Sequence, residues 1–145
     1  MPPLTENELD SFLRGYPVAI LCTHNSDGSI HAVPVWFKYD GSEILLATQE
    51  DTRKIKNIRE NPDVTIVVEA DQPPYRGVTI YGRAKLDRDN VTPRRAAMYE
   101  KYMPKANAEK LAQALASMRK PVLIHVTPSK MISCDYGKDP TGLFK

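Results

Sequence analysis

Residues 47–62 contain the side chains whose types and spacing could do chemistry. A strand-like run ending at Ala47 and Thr48 is followed within four residues by the start of a helix, and such a junction leaves backbone amides unpaired. The hydroxyls of Thr48 and Thr52 and the positive end of the helix dipole lie at this junction. Arg53 and Lys54 add two positive side chains. These groups could converge on one phosphate-sized anion, with each charge-assisted hydrogen bond contributing about 1.5–3 kcal/mol.

The same segment also allows a simpler interpretation, in which Asp51 or Thr52 only caps the helix. Its basic residues then form a solvated stripe, namely Arg53, Lys56 and Arg59. Glu50 and Asp51 bring negative charge to the same corner, which disfavours an anion there. Residue types alone leave both interpretations open.

A second informative segment is the apolar run at residues 32–37, which contains Pro34. Proline removes a ladder hydrogen-bond donor and is tolerated at a sheet edge or a bulge, so the run predicts an open edge. A flat ring system could accept hydrogen bonds from backbone groups at that edge and lie against Trp36. Alternatively, Trp36 is a core aromatic residue and Pro34 protects the edge.

The remaining pattern supplies the elements that position these two segments. Thr5 and Glu8 form a capping-box pattern, which predicts a short helix to Leu13. Strand-like runs are predicted at residues 17–24, 30–39, 43–48, 64–70, 78–86, 121–127 and 130–136. Because strands and helices do not alternate regularly, the order favours a mainly β protein, an antiparallel barrel with peripheral helices, over a doubly wound parallel sheet.

Two further helices are predicted between the fifth and sixth strands. Thr92 followed by Pro93 is typical of an N-cap, so one helix is expected from Thr92 to about Met103. A second is expected from about Asn107. Its predicted buried stripe consists of Leu111, Ala114, Leu115 and Met118.

The composition limits the function classes. The 145 residues are expected to form one domain, and the 20 basic and 18 acidic side chains are interspersed, which disfavours nucleic-acid binding. The longest apolar runs have only six residues, too short for a membrane span or a signal peptide, so a cytoplasmic protein is expected. Cys22, Cys134 and the three histidines lack metal-ligand spacing, so no metal is expected and both cysteines are predicted to be small buried hydrophobes.

Taken in chain order, several short motifs resemble the pyridoxamine 5'-phosphate oxidase-like, FMN-binding split-barrel superfamily. The resemblance spans about residues 6–86 and rests on the strand at residues 19–24, the Asp27-Gly28 turn, Pro34-Val35-Trp36-Phe37, the Asp40-Gly41 turn, Thr52-Arg53-Lys54 with Asn57 and Asn61-Pro62, and Ile80-Tyr81-Gly82-Arg83-Ala84. It implies a six- to seven-stranded, antiparallel, Greek-key-like split β-barrel.

The resemblance also implies a homodimer with two flavin sites at the subunit interface. Residues matching Thr48, Thr52, Arg53 and Lys54 would hold the phosphate, and the strand matching Pro34 to Trp36 would run beside the ring. Residues matching Arg76 and Gly77 would approach from the partner chain. The predicted cofactor-binding residues are therefore Pro34, Val35, Trp36, Ala47, Thr48, Thr52, Arg53, Lys54, Arg76 and Gly77.

The C-terminal arginine- and histidine-containing substrate motif of the true vitamin B6 oxidases has no counterpart at residues 135–145. The chain looks closer to small members that use FMN or the deazaflavin coenzyme F-420. The resemblance thus implies a flavin-dependent oxidoreductase that exchanges hydride with a small organic substrate. An F-420-dependent reductase and a non-enzymatic flavin- or heme-binding protein are the alternatives. No catalytic residue is assigned, and His24, His31 and Tyr81 are candidate proton donors.

Overall fold

The computed structural model describes residues 2–143 as seven β-strands, four α-helices and a short terminal 3-10 helix. In chain order these are α1 (Glu6–Gly15), β1 (Val18–His24), β2 (Ile30–Trp36), β3 (Lys38–Tyr39), β4 (Ile44–Gln49), α2 (Arg53–Glu60), β5 (Asp63–Glu69), β6 (Arg76–Asp87), α3 (Val91–Tyr99), α4 (Lys105–Met118), β7 (Pro121–Asp135) and the 3-10 helix Tyr136–Lys138. The last two residues of the C-terminal tail, 144 and 145, lie outside the described residues.

The seven strands form one antiparallel sheet in the order β2-β1-β5-β6-β7-β4-β3. The sheet curls until β2 and β4 lie close to each other, yet these two strands do not pair. As a result, β2 is an open edge, as the proline in it predicted. The antiparallel, incompletely closed barrel with peripheral helices confirms the predicted split-barrel architecture.

The core fills the inside of this curled sheet. Its fully buried side chains include Leu21, Ile44, Leu46, Ile66 and Ile80. Helix α1 packs Phe12 and Leu13 against the same core. The predicted capping box is confirmed, since the Thr5 hydroxyl accepts from the Glu8 amide at 3.2 Å and the Glu8 carboxylate accepts from the Thr5 amide at 2.9 Å.

The close approach of β6 and β7 requires glycine at position 82. A Cβ atom there would lie 2.6 Å from the carbonyl oxygen of Thr127. The register shifts between Tyr81 and Gly82, and Pro128 lies opposite this shift. The prediction of two separate strands at residues 121–127 and 130–136 is wrong, because the bulge accommodates the proline within one continuous strand.

The helical pair also differs from the prediction. Helix α3 begins at Val91 after Asn90, which adopts a left-handed conformation with a φ of 48°, and it ends at Tyr99. Thr92 is therefore inside the helix and is not its cap. The left-handed conformation at Asn90 is a feature that the Thr-Pro pattern does not report.

Helix α4 begins two residues before the predicted start, and its buried face is shifted from the predicted stripe. Leu111 and Leu115 of that stripe pack on the buried cluster as predicted, whereas Ala114 and Met118 are exposed, Met118 at 72%. The fully buried residues of the helix are Ala108 and Ala112. Small alanine side chains allow α4 to pack closely on α3, and this contact, which local periodicity does not show, sets the buried face.

The two cysteines are free and half-buried, so the prediction that both are buried is wrong. Cys22 alternates with the buried Leu21 and Thr23 and therefore lies on the outer side of the sheet. Partial burial raises the pKa of the Cys22 thiol. Within residues 2–143, no helix is long and apolar enough to cross a membrane, and no histidine, cysteine and carboxylate side chains group as metal ligands.

Candidate anion-binding cleft

A cleft of about 240 Å³ lies where β2, the end of β4, α2 and α3 meet. It is lined by Pro34, Val35, Trp36, Ala47, Thr48, Gln49, Lys54, Arg95, Met98 and Tyr99. Six of these ten are predicted cofactor-binding residues, and they come from two segments that are separate in the sequence. The structure therefore brings the predicted anion corner and the predicted open edge together in one place.

Lys54 supplies positive charge on the α2 side of the cleft. Its side chain is half-buried, and burial, followed by repulsion from Arg119, lowers its pKa. Thr48 is buried beside it on β4. Because the lining contains no carboxylate, an anion in the cleft would meet an incompletely solvated ammonium group without an acidic competitor.

The two acidic residues that disfavoured an anion are both paired with arginines. Glu50 forms ion pairs with Arg88 and, at 2.5 Å, with Arg59. Asp51 pairs with Arg119 at 2.6 Å. Hydrogen bonds from Arg88 and from Arg119 lower the pKa of Glu50 and of Asp51, respectively. Their charges are therefore balanced by partners outside the cleft.

Thr52 and Arg53 do not join the other predicted residues. They line a neighbouring depression of about 420 Å³ together with Glu50, Asp51, Lys56 and Arg59. Thr52 occupies the N-cap position of α2, but its hydroxyl donates to the carbonyl of Gln49 at 2.9 Å and makes no cap hydrogen bond. Capping by Thr52 is therefore not observed, whereas Arg53 is exposed as the solvated-stripe interpretation expects.

Helix α2 is held in place by a buried amide as well as by its apolar face. Asn57 is buried, and its Nδ2 atom donates to Thr23 Oγ1 at 3.0 Å and to Asn25 Oδ1 at 2.9 Å. Ile55 and Ile58 pack in the core on the same helix. These contacts join α2 to β1 and the following turn, and so they fix the position of Lys54.

An aromatic cluster forms the β2 side of the cleft. The Trp36 ring stacks on Tyr102 with a centroid distance of 4.2 Å and an interplanar angle of 10°, and it meets the edge of Tyr99 at 5.5 Å. With 39% of its surface exposed, Trp36 is not the core aromatic residue of the alternative interpretation. Its indole is therefore held by aromatic neighbours beside the open edge of β2.

The same aromatic cluster explains why the predicted strand at residues 30–39 is divided. The Phe37 amide donates to the Tyr102 hydroxyl at 2.9 Å, and the Lys101 ammonium donates to the Phe37 carbonyl at 3.0 Å. These side chains satisfy the backbone of Phe37, where β2 ends and β3 begins. One strand over residues 30–39 is thus a wrong prediction, because long-range contacts replace ladder hydrogen bonds at this residue.

Arg95, Met98 and Tyr99 of α3 line the cleft and were missed by sequence reasoning. Arg95 is only 3% exposed, and its Nε atom donates to the Tyr99 hydroxyl at 2.6 Å. The signal in the sequence was the spacing of Arg95, which lies three residues before Met98 and four before Tyr99. This spacing puts a charged residue on the apolar face of a helix. The adjacent Arg94 has the same residue type, so composition alone does not distinguish the two.

Arg76 and Gly77 do not line this cleft. They begin β6, where Arg76 pairs with Asp135 and Gly77 with Cys134. Their predicted approach to a cofactor from a partner chain stays a prediction.

The candidate proton donors also lie outside the cleft. His24, His31 and Tyr81 belong to β1, β2 and β6, and none of them contributes to its lining. Within the described residues, no paired acid and base face the cleft. A hydride-transfer chemistry supplied by a cofactor would not require such a pair.

Over residues 5–134, the sequence matches the family model described as pyridoxamine 5'-phosphate oxidase. Among curated proteins, none matches the sequence. The family match covers all the elements that form the cleft, from β2 to α3.

Solved structures with the same fold carry several different descriptions. The conserved hypothetical protein Rv2991 from Mycobacterium tuberculosis has a TM-score of 0.77 and 23% identity, over 92% of this chain and 86% of that chain. An F-420 reductase has a TM-score of 0.68 and 23% identity, over 84% of this chain and 94% of that chain. The heme storage protein HutZ from Vibrio cholerae has a TM-score of 0.69 and 17% identity, over 87% and 92% of the two chains. At these identities the similarities establish a shared fold.

Proposed function

Since the chain belongs to the pyridoxamine 5'-phosphate oxidase family, we propose that it is an FMN-dependent oxidoreductase that exchanges hydride with a small organic substrate. The observation that carries the proposal is the composition of the cleft. Two separate sequence segments supply its predicted residues, and its charged lining consists of Lys54 and Arg95 only. This combination of a cationic corner and an aromatic, open strand edge suits a phosphorylated, ring-bearing cofactor.

The described residues fit such a cofactor. Thr48 and Lys54 would hold the phosphate, while Pro34, Val35 and Trp36 would lie beside the ring. When bound, a flavin supplies the hydride chemistry, and the protein contributes binding, orientation and exclusion of water. In this chain, the stacked Trp36 and the hydrogen-bonded Phe37 backbone would fix the wall against which a ring rests.

The size of the cleft supports a dimeric form of the protein. About 240 Å³ is below the range of roughly 300–1,000 Å³ that is usual for ligand pockets, as expected for a site that a second surface completes. The outer face of the sheet offers one. Register places one row of neighbours across five strands: Pro34, Ile20, Val67, Thr79 and Ile132.

This row is mainly apolar, and it reaches the cleft at Pro34. Ile20 and Ile132 are exposed, at 37% and 49%. No residue of the row belongs to either core cluster of the described residues. A second copy seated on the row would bury these side chains and would border the cleft. We therefore include a homodimer with two interfacial cofactor sites in the proposal.

Coenzyme F-420 is the second candidate cofactor. It also presents a phosphate and a tricyclic ring to such a cleft, and an F-420 reductase shares the fold. A heme-binding function, as described for HutZ, is less well supported by the site. None of the three histidines lines the cleft, so within it the described residues offer no imidazole ligand for heme iron.

Spectroscopic titrations combined with the mass in solution test this proposal. The purified protein is titrated separately with FMN, with coenzyme F-420 and with hemin, and its mass is measured by sedimentation equilibrium. We expect saturable binding of FMN with one site per chain in a particle of twice the chain mass. Binding of F-420 alone would select the deazaflavin alternative. Binding of hemin alone, or of none of the three, would overturn the proposal.

A further inference from the structure

Helix α3 places a buried cation, Arg95, in the lining of the cleft, and none of the predicted motifs contains this residue. The guanidinium of Arg95 lies 5.5 Å from the centre of the Tyr99 ring, and its Nε atom donates to the Tyr99 hydroxyl. Its Nη1 atom is buried and has no hydrogen-bond partner among the described residues. Arginine stays protonated in proteins, so Arg95 keeps a positive charge with an unsatisfied donor.

A buried charge without a partner destabilises a fold. The adjacent Arg94 has partners: it donates to the Asp87 carboxylate at 2.8 Å and to the backbone carbonyl of Asp89 at 2.9 Å. Arg95 lines the cleft together with Lys54. The unsatisfied donor thus belongs to a residue of a site that already contains a second cation.

We propose that Arg95 binds an anionic group of the ligand from the α3 side of the cleft, in addition to Lys54 on the α2 side. The cleft then selects a ligand carrying at least two negative charges, such as a phosphate monoester dianion, over an uncharged analogue. The planar guanidinium of Arg95 can donate paired hydrogen bonds to two phosphate oxygens. The identity of the ligand as a flavin rests on the proposed function, whereas the contact between Arg95 and an anion does not.

This role has a consequence for α3. The helix lies between β6 and β7 in the chain and contacts the cleft through Arg95, Met98 and Tyr99. An anion held by both Arg95 and Lys54 would join α3 to α2 and satisfy the free Nη1 donor. Binding of a dianion should therefore raise the unfolding temperature of the protein, and this rise should depend on Arg95.

The test compares Arg95→Met with the matched variant Arg94→Met, which removes the same charge from the neighbouring position. Each protein is titrated with inorganic phosphate at constant ionic strength, by calorimetry and by thermal unfolding, and then with FMN and riboflavin. We expect Arg95→Met to bind phosphate about 10- to 150-fold more weakly than the unchanged protein. We expect Arg94→Met to keep its phosphate affinity, although loss of the Asp87 ion pair lowers its unfolding temperature.

A purely structural role for Arg95 predicts a different pattern. In that case Arg95→Met would lower the unfolding temperature without ligand and leave phosphate affinity unchanged, which would overturn the proposal. Absence of phosphate binding in the unchanged protein would overturn it as well. If Arg95→Met does not fold, Arg95→Gln is measured in its place with the same expectations.

The FMN arm separates this inference from the proposed function. Phosphate binding that depends on Arg95, without any FMN binding, would support the anion contact and refute the flavin function. Equal FMN affinity in the unchanged protein and in Arg95→Met would support the flavin function and refute the role of Arg95.

Discussion

Replacing Lys54 with methionine tests the anion corner most directly. Methionine keeps most of the length and the apolar stem but removes the charge. If Lys54 makes one charge-assisted contact with a phosphate, its loss should cost about 1.5–3 kcal/mol of binding free energy, which raises the dissociation constant for FMN about 10- to 150-fold. The corresponding control is Lys56→Met, because Lys56 is exposed on the same helix and does not line the cleft.

The unliganded protein supplies a second readout. Burial lowers the pKa of Lys54, which means that keeping its ammonium group charged in the folded protein costs free energy. Lys54→Met should therefore unfold at the same temperature as the unchanged protein or at a higher one. Weaker binding combined with unchanged or higher stability is the signature of a residue that acts on a ligand.

Fluorescence titrations with FMN and riboflavin complete this experiment, because riboflavin has the same ring without the phosphate. The affinity for riboflavin should stay within about twofold in Lys54→Met, as expected when only a phosphate contact is lost. If the affinities for FMN and riboflavin fall equally, Lys54 acts on the ring or on the fold. If Lys54→Met and Lys56→Met behave alike, the cleft does not bind the phosphate through α2.

Three further predictions concern stability and assembly. Asn57→Ala removes one buried and one partly buried hydrogen bond and should lower the free energy of unfolding by about 1–3 kcal/mol in urea titrations, since Thr23 loses its donor; an unchanged midpoint would refute this. Burial lowers the pKa of Lys101 to about 8, below the value in the unfolded chain, so the unfolded state binds more protons above that pH. Between about pH 8 and pH 10, the free energy of unfolding should therefore rise by about 1 kcal/mol relative to that of Lys101→Met, after allowance for solvent screening. Parallel pH profiles of the two proteins would contradict this prediction. Ile20→Glu on the outer sheet row should convert a dimer to a monomer in sedimentation experiments, whereas Met118→Glu on α4 should not; a dimer in both variants would place the interface elsewhere.

The parts of the fold that the sequence predicts well depend on interactions between neighbours in the chain. The capping box of α1 forms between Thr5 and Glu8, and the strand predicted at residues 78–86 lies within β6. The wrong predictions involve distant partners. Phe37 interrupts a strand because Tyr102 satisfies its backbone, and α4 buries Ala112 in place of Met118 because it packs on α3.

The candidate site shows the same limit in its electrostatics. In the sequence, Glu50 and Asp51 disfavour an anion at the start of α2, and residue types alone do not show whether their charges are neutralised. In the structure, Arg88, which follows β6, and Arg119, which follows α4, pair with these two carboxylates. The two carboxylates at the start of α2 are therefore neutralised by residues that lie 38 and 68 positions away in the chain. Arg95 shows the same limit, because its neighbour Arg94 pairs with Asp87 whereas Arg95 lines the cleft with an Nη1 atom that has no hydrogen-bond partner among the described residues.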